Sequence, residues 1–227
     1  MQAVILAAGK GTRMNHLASD LPKVLLEVKN KTLLEYKFDV LPEFIKEIVL
    51  VVGYKKDTII DKYGENYSGK KITYIEDKTL TGTAHALWQT KNVLKNQFLV
   101  MMGDDIYSKD SIQKVAENNW GVVCKKVSRE EDGSRIILDE NGKLTDFVTP
   151  KIYREKFNDG GFVFTGLYSL DTDIFKYEPV KMKTKEEWGL PQTLLVAAKN
   201  REIKIIEADF WIPISSPEDL EKAKKLI

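Results

Sequence analysis

The sequence contains one cysteine in 227 residues. That rules out a disulfide scaffold. Cys124 lies in the apolar context WGVVC, which reads as a buried core position with no zinc role. Net charge is almost absent: 35 basic residues against 34 acidic leave +1, so there is no electrostatic case for DNA or RNA as a partner. No apolar run is long enough to cross a bilayer, and the first residues enter a strand at once, without the pattern of a signal peptide. These absences lead us to expect a cytoplasmic protein with no membrane partner. Internal repeats and low-complexity linkers are missing as well. Hydrophobic residues are 43% of the chain, enough for a sizeable core in one large domain or two small ones.

The apolar pattern of the first half alternates between strand and helix. Ala3–Leu6, Glu47–Val52, Lys71–Ile75 and Phe98–Met102 read as strands. The three apolar runs among them have the pattern of strands buried on both faces. Between them, Thr32–Leu41, Asp57–Tyr63 and Thr81–Val93 read as helices. This order predicts βαβ units and a parallel sheet, with ligands beyond the carboxyl ends of the strands. After residue 120 hairpins take over: Gly121–Val127, Arg135–Asp139, Lys143–Val148 and Phe162–Leu170 read as strands, and Ile203–Glu207 as another. The segment Lys185–Asn200 predicts a helix with Pro191 in its first turn. Ser216, Pro217 and Glu218 read as the N-cap, first position and acidic first turn of a last helix. The expected architecture is α/β, a Rossmann-like mixed, mainly parallel sheet flanked by helices, with a β-rich extension on the same sheet.

The stretch that organises the chain is LAAGKGTRM, which follows the first strand. Two small residues and two glycines allow a sharp turn and close approach of backbone to a ligand. Such a loop can point several N–H groups at one anion. Arg13 can fork onto phosphate oxygens, and Lys23, held by the preceding Pro22, adds a point-like cation. An ordinary turn has the same composition. The loop lacks the Gly-Lys-Ser/Thr of a P-loop, and Met14 stands where a dinucleotide motif has its third glycine. A second candidate is Asp104, with Asp105, at the end of FLVMMG. Adjacent carboxylates there suit either a hard cation such as Mg²⁺ or a Gly-Asp turn.

The full string from LAAGKGTRM to LPKVLLEV resembles the signature of the sugar-phosphate nucleotidyltransferases, the NDP-sugar pyrophosphorylases. The resemblance implies the nucleotide-diphospho-sugar transferase fold in one domain, residues 1–119 holding an NTP and residues 120–227 a sugar 1-phosphate. It implies nucleotide contacts from Leu6, Ala7, Ala8, Gly9, Lys10, Gly11 and Thr12, with Arg13 and Lys23 stabilising the departing pyrophosphate. Asp104 would hold Mg²⁺, the expected cofactor. LTGTAHAL at residues 80–87 resembles the nucleobase loop, which puts Gly82 and Thr83 against the base; His85 would orient that loop or pack in the helix rather than act as a base. Asp77 stands where uridylyl and thymidylyl enzymes commonly carry a base-reading glutamine. An ionised carboxylate only accepts hydrogen bonds, which suits cytosine or guanine.

The sugar half departs from the family pattern. Val148-Thr149-Pro150-Lys151 replaces V-E-K-P, leaving Lys151 as the cation on that side. Phe164-Thr165-Gly166 replaces N-x-G, so Thr165 and Gly166 are expected at the sugar phosphate, together with Asp105 and Glu187. Trp211-Ile212-Pro213 replaces W-x-D, where Asp is often a second metal ligand. Pro213 cannot coordinate, and Asp209 is the candidate replacement. The implied partners are small molecules, an NTP and a sugar 1-phosphate, and the resemblance allows a homo-oligomer. Two alternatives stay open: a CTP-dependent cytidylyltransferase acting on a non-sugar phosphate such as phosphocholine, and a non-catalytic nucleotide-sugar sensor.

Overall fold

A computed structural model of the chain describes residues 1–14, 21–183 and 186–227. Its frame is a ten-stranded mixed sheet. In spatial order the main path runs Leu144–Val148, Arg135–Leu138, Phe162–Asp171, Gln97–Met102, Gln2–Leu6, Glu47–Val52, Lys70–Glu76 and Asn66–Tyr67. Gly121–Lys126 joins at Phe162–Asp171 and carries Lys204–Glu207 on its other side. The centre is parallel: Gln2–Leu6 pairs with Glu47–Val52 on one side and Gln97–Met102 on the other, and Glu47–Val52 pairs onward with Lys70–Glu76. Asn66–Tyr67 pairs antiparallel at one edge; on the other side antiparallel pairing begins where Phe162–Asp171 meets Gln97–Met102, so the hairpin-rich second half extends the same sheet.

Side chains alternate across the central strands, as a pleated strand requires. Ala3, Ile5, Ile48, Leu50, Leu99 and Met101 face one layer, with the helices Leu33–Val40, Lys56–Tyr63 and Lys109–Ala116 packed on them. Val4, Val49, Val51, Phe98 and Val100 face the other, against Thr83–Trp88 and Leu190–Ala197. With both faces covered, the central strands read as unbroken apolar runs. A third, smaller cluster joins Met14, Leu26, Leu33, Ile106, Ile212 and Ile214 to Leu220 and Ala223 of the final helix, Pro217–Leu226.

The local signals behave as their chemistry dictates. Thr32 closes a capping box with Glu35, and Ser216 closes another with Asp219; each satisfies N–H groups that a helix start leaves open. Pro191 sits in the first turn of Leu190–Ala197. The helix expected over Thr81–Val93 is shorter, Thr83–Trp88. Thr90 turns its hydroxyl back onto the Leu87 carbonyl, and tight turns replace the α-helix from there. Two helices escaped the sequence reading. Lys109–Ala116 starts at Ser108, whose side chain accepts from Ser111 N–H, and its buried residues follow helical spacing at Ile112, Val115 and Ala116. Pro150–Lys156 starts at Thr149, whose side chain accepts from Ile152 N–H. None of the described helices is long and apolar enough to cross a membrane.

Candidate active site

The ends of the parallel strands are laced together by backbone. Ala7 N–H donates to Val51 O at 2.8 Å, Tyr54 N–H to Ala8 O at 3.2 Å, Asp77 N–H to Val52 O at 2.8 Å and Gly103 N–H to Leu6 O at 2.9 Å. The rim therefore gathers Leu6, Ala7, Ala8, Asp77 and the turn that carries Asp104. Gly103 is required by close approach. A Cβ there would lie 2.7 Å from Leu6 O and 2.9 Å from Val24 Cγ1, too tight for any other residue.

Lys23 and Asp104 meet at this rim. Lys23 sits in a 3₁₀ turn, Lys23–Leu25, that follows Pro22. Its Nζ lies 2.6 Å from Asp104 Oδ2, with the lysine side chain 8% exposed and the aspartate 35%. Residues 81 apart in sequence thus form one partly sheltered ion pair. Gly9 to Met14 turn away from the first strand; residues 12–14 form a 3₁₀ turn, and Met14 N–H donates to Gly11 O at 2.8 Å. Met14 is wholly buried under the final helix. Where a dinucleotide motif would have a glycine, this loop has an apolar anchor. Lys10, Thr12 and Arg13 are exposed beside it, and Arg13 makes no hydrogen bond or ion pair to a described residue.

The loop expected at the base is built by Asp77, and its role differs from the one read in the sequence. The Asp77 side chain is 2% exposed. One oxygen, Oδ1, accepts from Thr79 N–H at 3.0 Å, Thr79 hydroxyl at 2.9 Å and Leu80 N–H at 3.2 Å. This carboxylate organises the turn in the manner of an Asx motif; it is not a free base-reading group. His85 orients the same loop as expected, with Nδ1 3.0 Å from Thr79 Oγ1 and 3.4 Å from Asp77 Oδ1. Gly82 has φ of +115°, and a Cβ on it would lie 2.4 Å from Trp188 O. Trp188 N–H donates to Thr81 O at 2.7 Å, and Leu190 N–H to the Thr83 hydroxyl at 2.9 Å. The base loop is thereby stitched to the two-stranded ladder Val180–Lys181 and Trp188–Gly189, which brings Glu187 next to it in the chain.

Three residues expected at the sugar phosphate or metal are corrected by their surroundings. Asp105 points inward: its Oδ2 accepts from Trp211 Nε1 at 3.1 Å and lies 3.4 Å from the Tyr107 hydroxyl. Burial and the neighbouring Asp104 charge push its carboxyl up to about 7. Thr165 is 1% exposed; its hydroxyl donates to Val123 O at 2.8 Å, and its carbonyl accepts from Tyr107. Asp209 accepts from the hydroxyls of Ser108 and, at 2.8 Å, Ser111. Burial opposes its charge, yet these hydrogen bonds hold its carboxyl below the ordinary value. It cannot replace the missing metal ligand, because Trp211–Pro213 runs antiparallel to Asp105–Tyr107 with Pro213 opposite Asp105 and Trp211 opposite Tyr107. Asp209 lies further along, at the start of the Lys109–Ala116 helix and away from Asp104. Lys151 is exposed in the first turn of Pro150–Lys156, and Gly166 precedes Leu167, the partner of Met101.

The sequence reading missed Lys37. It is wholly buried, and its Nζ donates to the Leu33 carbonyl at 3.2 Å and to the main-chain carbonyl of Asp105. Burial pushes its ammonium down to about 8, with the Asp105 and Asp104 charges opposing. A lysine on the same helix face as Leu33, Leu34 and Phe38 was the available signal. Lys37 and Trp211 grip Asp105 from its two ends, and so fix the turn that aims Asp104 outward.

Asp104 offers a hard oxygen ligand, which fits a cation such as Mg²⁺ that takes one or two carboxylates and fills its shell from substrate phosphates and water. Among the described residues no three His, Cys, Asp or Glu side chains form an all-protein cage. A carboxylate that fits a hard cation, next to a glycine loop and the Lys23 ammonium, suits polyphosphate chemistry. The comparisons agree with that class. The nucleotidyl transferase family model matches residues 2–227, so the chain belongs to this family. It is 32% identical, over 99% of its length and 96% of the relative's, to a UTP–glucose-1-phosphate uridylyltransferase of Haloferax volcanii. Identity is 30%, over 96% of each, to a D-glycero-alpha-D-manno-heptose 1-phosphate guanylyltransferase of Campylobacter jejuni. It is also 34% identical to the bifunctional protein GlmU of Methanococcus maripaludis, of which it spans about half, 53%. Among solved structures, one described as a glucose-1-phosphate thymidylyltransferase from Bacillus anthracis superposes with a TM-score of 0.84 at 20% identity, covering all of this chain and 94% of that one. That likeness speaks for the nucleotide-diphospho-sugar transferase fold.

Proposed function

We propose that this chain transfers a nucleotidyl group from an NTP to a sugar 1-phosphate, giving an NDP-sugar and pyrophosphate. The observation that carries the reading is the juxtaposition of the glycine loop, Lys23 and Asp104 at the adjoining ends of two parallel strands. Relatives named for uridylyl and guanylyl transfer to sugar 1-phosphates, matched along nearly their whole length, support it.

The chemistry asks little of the protein beyond position and charge. A phosphate oxygen of the sugar 1-phosphate attacks the α-phosphorus. The new P–O bond forms as the bond from the α-phosphorus to the bridging oxygen breaks, and pyrophosphate leaves with that electron pair. The backbone of Gly9–Thr12, with Lys10 and Arg13, holds the β and γ phosphates. Lys23 neutralises charge on the α-phosphate. Asp104 would hold Mg²⁺, which when bound supplies Lewis-acid neutralisation of the phosphate oxygens. Gly82 and the Thr81–Thr83 backbone lie along the base. Lys151, Glu187 and Gly166 serve the acceptor. Both substrates are small molecules, so the reading needs no nucleic acid or membrane, and it is set in the cytoplasm.

Nothing in the geometry favours the phosphocholine reading, because the Asp77 carboxylate that suggested cytosine is engaged in its own loop. A pyrophosphate-release assay with Mg²⁺, crossing ATP, GTP, CTP, UTP and dTTP with sugar 1-phosphates and phosphocholine, tests the proposal. Release with one NTP and one sugar 1-phosphate is expected. Release only with phosphocholine, or none with any pair, overturns it.

A further inference from the structure

Two roles meet on one pair of side chains. Asp104 is the carboxylate that would carry the metal, and Lys23 is the cation for the α-phosphate, yet the two are bonded to each other at 2.6 Å. Asp104 projects outward from the rim, but Lys23 is nearly buried. The lysine is held on a short 3₁₀ turn whose other residues, Val24 and Leu25, are packed in the core. Its ammonium is therefore a built part of the rim and not a surface side chain that happens to reach an acid. A sheltered ammonium next to the carboxylate repels a second cation and occupies one of its two oxygens, Oδ2.

We propose that Lys23 is a placeholder cation on Asp104, so that a divalent ion gains this carboxylate only when a phosphate draws the lysine away. The inference rests on the reading of Asp104 as the metal-holding residue and adds the order in which the site fills. The lysine exchanges one anion for another: it leaves the aspartate as it meets the α-phosphate, and the aspartate takes the incoming metal. Neither charge stands unpaired in the partly sheltered site at any stage, which avoids the cost of an isolated buried ion. By linkage, nucleotide and metal then raise each other's affinity through this one side chain. The free protein is a poor metal binder, although it holds a well-placed carboxylate.

The test is Mn²⁺ binding to nucleotide-free protein, followed by electron paramagnetic resonance of the free ion. Wild type is expected to bind weakly. Lys23→Met, which keeps the chain length and removes the charge, is expected to bind about tenfold more tightly or better, the size of effect for removing a close like-charged competitor. Lys23→Gln guards against a fold defect in the first variant and is expected to show the same gain; Lys23→Arg, which keeps the cation, is expected to stay near wild type. Adding Asp104→Asn to Lys23→Met should abolish the gain. Equal affinities for wild type, Lys23→Met and Lys23→Gln, including no binding by any of them, would overturn the proposal, as would a gain that survives Asp104→Asn. Such results in a protein that still releases pyrophosphate would leave the proposed function standing, whereas a silent wild type in that assay would remove the function itself.

Discussion

At the proposed triphosphate end of the site, Lys10 and Arg13 stand exposed with no hydrogen bond to a described residue, and the Lys23 and Asp104 side chains are, among the described residues, bonded to each other. At the acceptor end, Thr165 and Asp209 have their polar groups taken up by the protein, by Val123 and by the two serines of the neighbouring helix start. Asp105, between the two, is gripped by Trp211 and Lys37. On the proposed reading the first region has charges available to a ligand; the second has spent many of its polar groups on structure. A residue type at a motif position says what a side chain is able to bind, and its bonding partners say whether it is free to do so.

The largest test of this contrast is to remove one group from each kind. Arg13→Ala and Asp104→Ala should each lower kcat/KM by about a thousandfold or more, the scale of losing a charge-stabilising group in phosphoryl transfer; the melting temperature should stay near wild type for Arg13→Ala and fall for Asp104→Ala, which leaves the nearly buried Lys23 without its partner. Thr165→Val should do the reverse. It loses one buried hydrogen bond, costing about 1 kcal/mol of stability, and leaves the KM for the sugar 1-phosphate within about twofold, a change too small to report a lost substrate contact. Steady-state pyrophosphate release with thermal melts distinguishes the two patterns.

Next in size is the anchor of the glycine loop. Met14 is wholly buried under the final helix. Met14→Ala should cost about 2–5 kcal/mol, the range for emptying a core position. Because the same residue pins the loop, the KM for the NTP should rise along with the stability loss, while the KM for the acceptor holds. Denaturant melts and the two KM values check it; a stability loss with both KM values unchanged would show that the loop holds its shape without the anchor.

The parts of the molecule that were legible in the sequence are those governed by local chemistry. The apolar runs of Glu47–Val52 and Phe98–Met102 marked strands covered on both faces, and Thr32 and Ser216 marked helix starts through their own hydroxyls. Glycine-rich LAAGKGTRM and its following Pro-Lys were legible as the signature of the family to which the chain belongs. What stayed hidden depended on partners far along the chain. Asp77 is the exception, because Oδ1 is used by Thr79 and Leu80, two and three residues on, local turn chemistry that the reading of a base-facing carboxylate passed over. Pro213 could be seen to lack a ligand atom, but only the antiparallel register with Asp105–Tyr107 removes Asp209 from consideration. Lys37 drew no reading from the sequence; its meaning needs the carbonyl of Asp105, 68 residues away.

The residue between the two regions predicts a pH signature. Burial and the Asp104 charge raise the Asp105 carboxyl from 3.8 to about 7, so the folded state binds its proton more tightly than the unfolded state. The stability it contributes is fully present below its unfolded value and is lost as the pH rises through about 7. Asp105→Asn cannot titrate and keeps a hydrogen-bonding group against Trp211. The stability difference should therefore move in favour of Asp105→Asn from pH 4 to 7 and then level off. Melting temperatures of both proteins across that range give the slope; a constant difference would mean that Lys37 holds Asp105 ionised throughout.

The smallest effect is expected at Asp209, and it tests the correction made there. Its carboxylate accepts from the hydroxyls of Ser108 and Ser111 at the start of the Lys109–Ala116 helix. The Ser108 side chain also caps that helix by accepting from Ser111 N–H at 3.0 Å. Asp209→Ala removes a negative charge near a helix N-terminus and two hydrogen bonds, together worth about 1–2 kcal/mol. The Ser108 cap remains, so the helix should loosen without unfolding. A residue that carried the metal would behave differently: its loss would raise the Mg²⁺ concentration needed for half-maximal rate by an order of magnitude or more. The expected result is a melting temperature lowered by a few degrees and a Mg²⁺ dependence that overlays the wild-type curve. A shifted Mg²⁺ curve at unchanged melting temperature would return Asp209 to the metal and would require the Trp211 segment to leave its register with Asp105–Tyr107 during turnover.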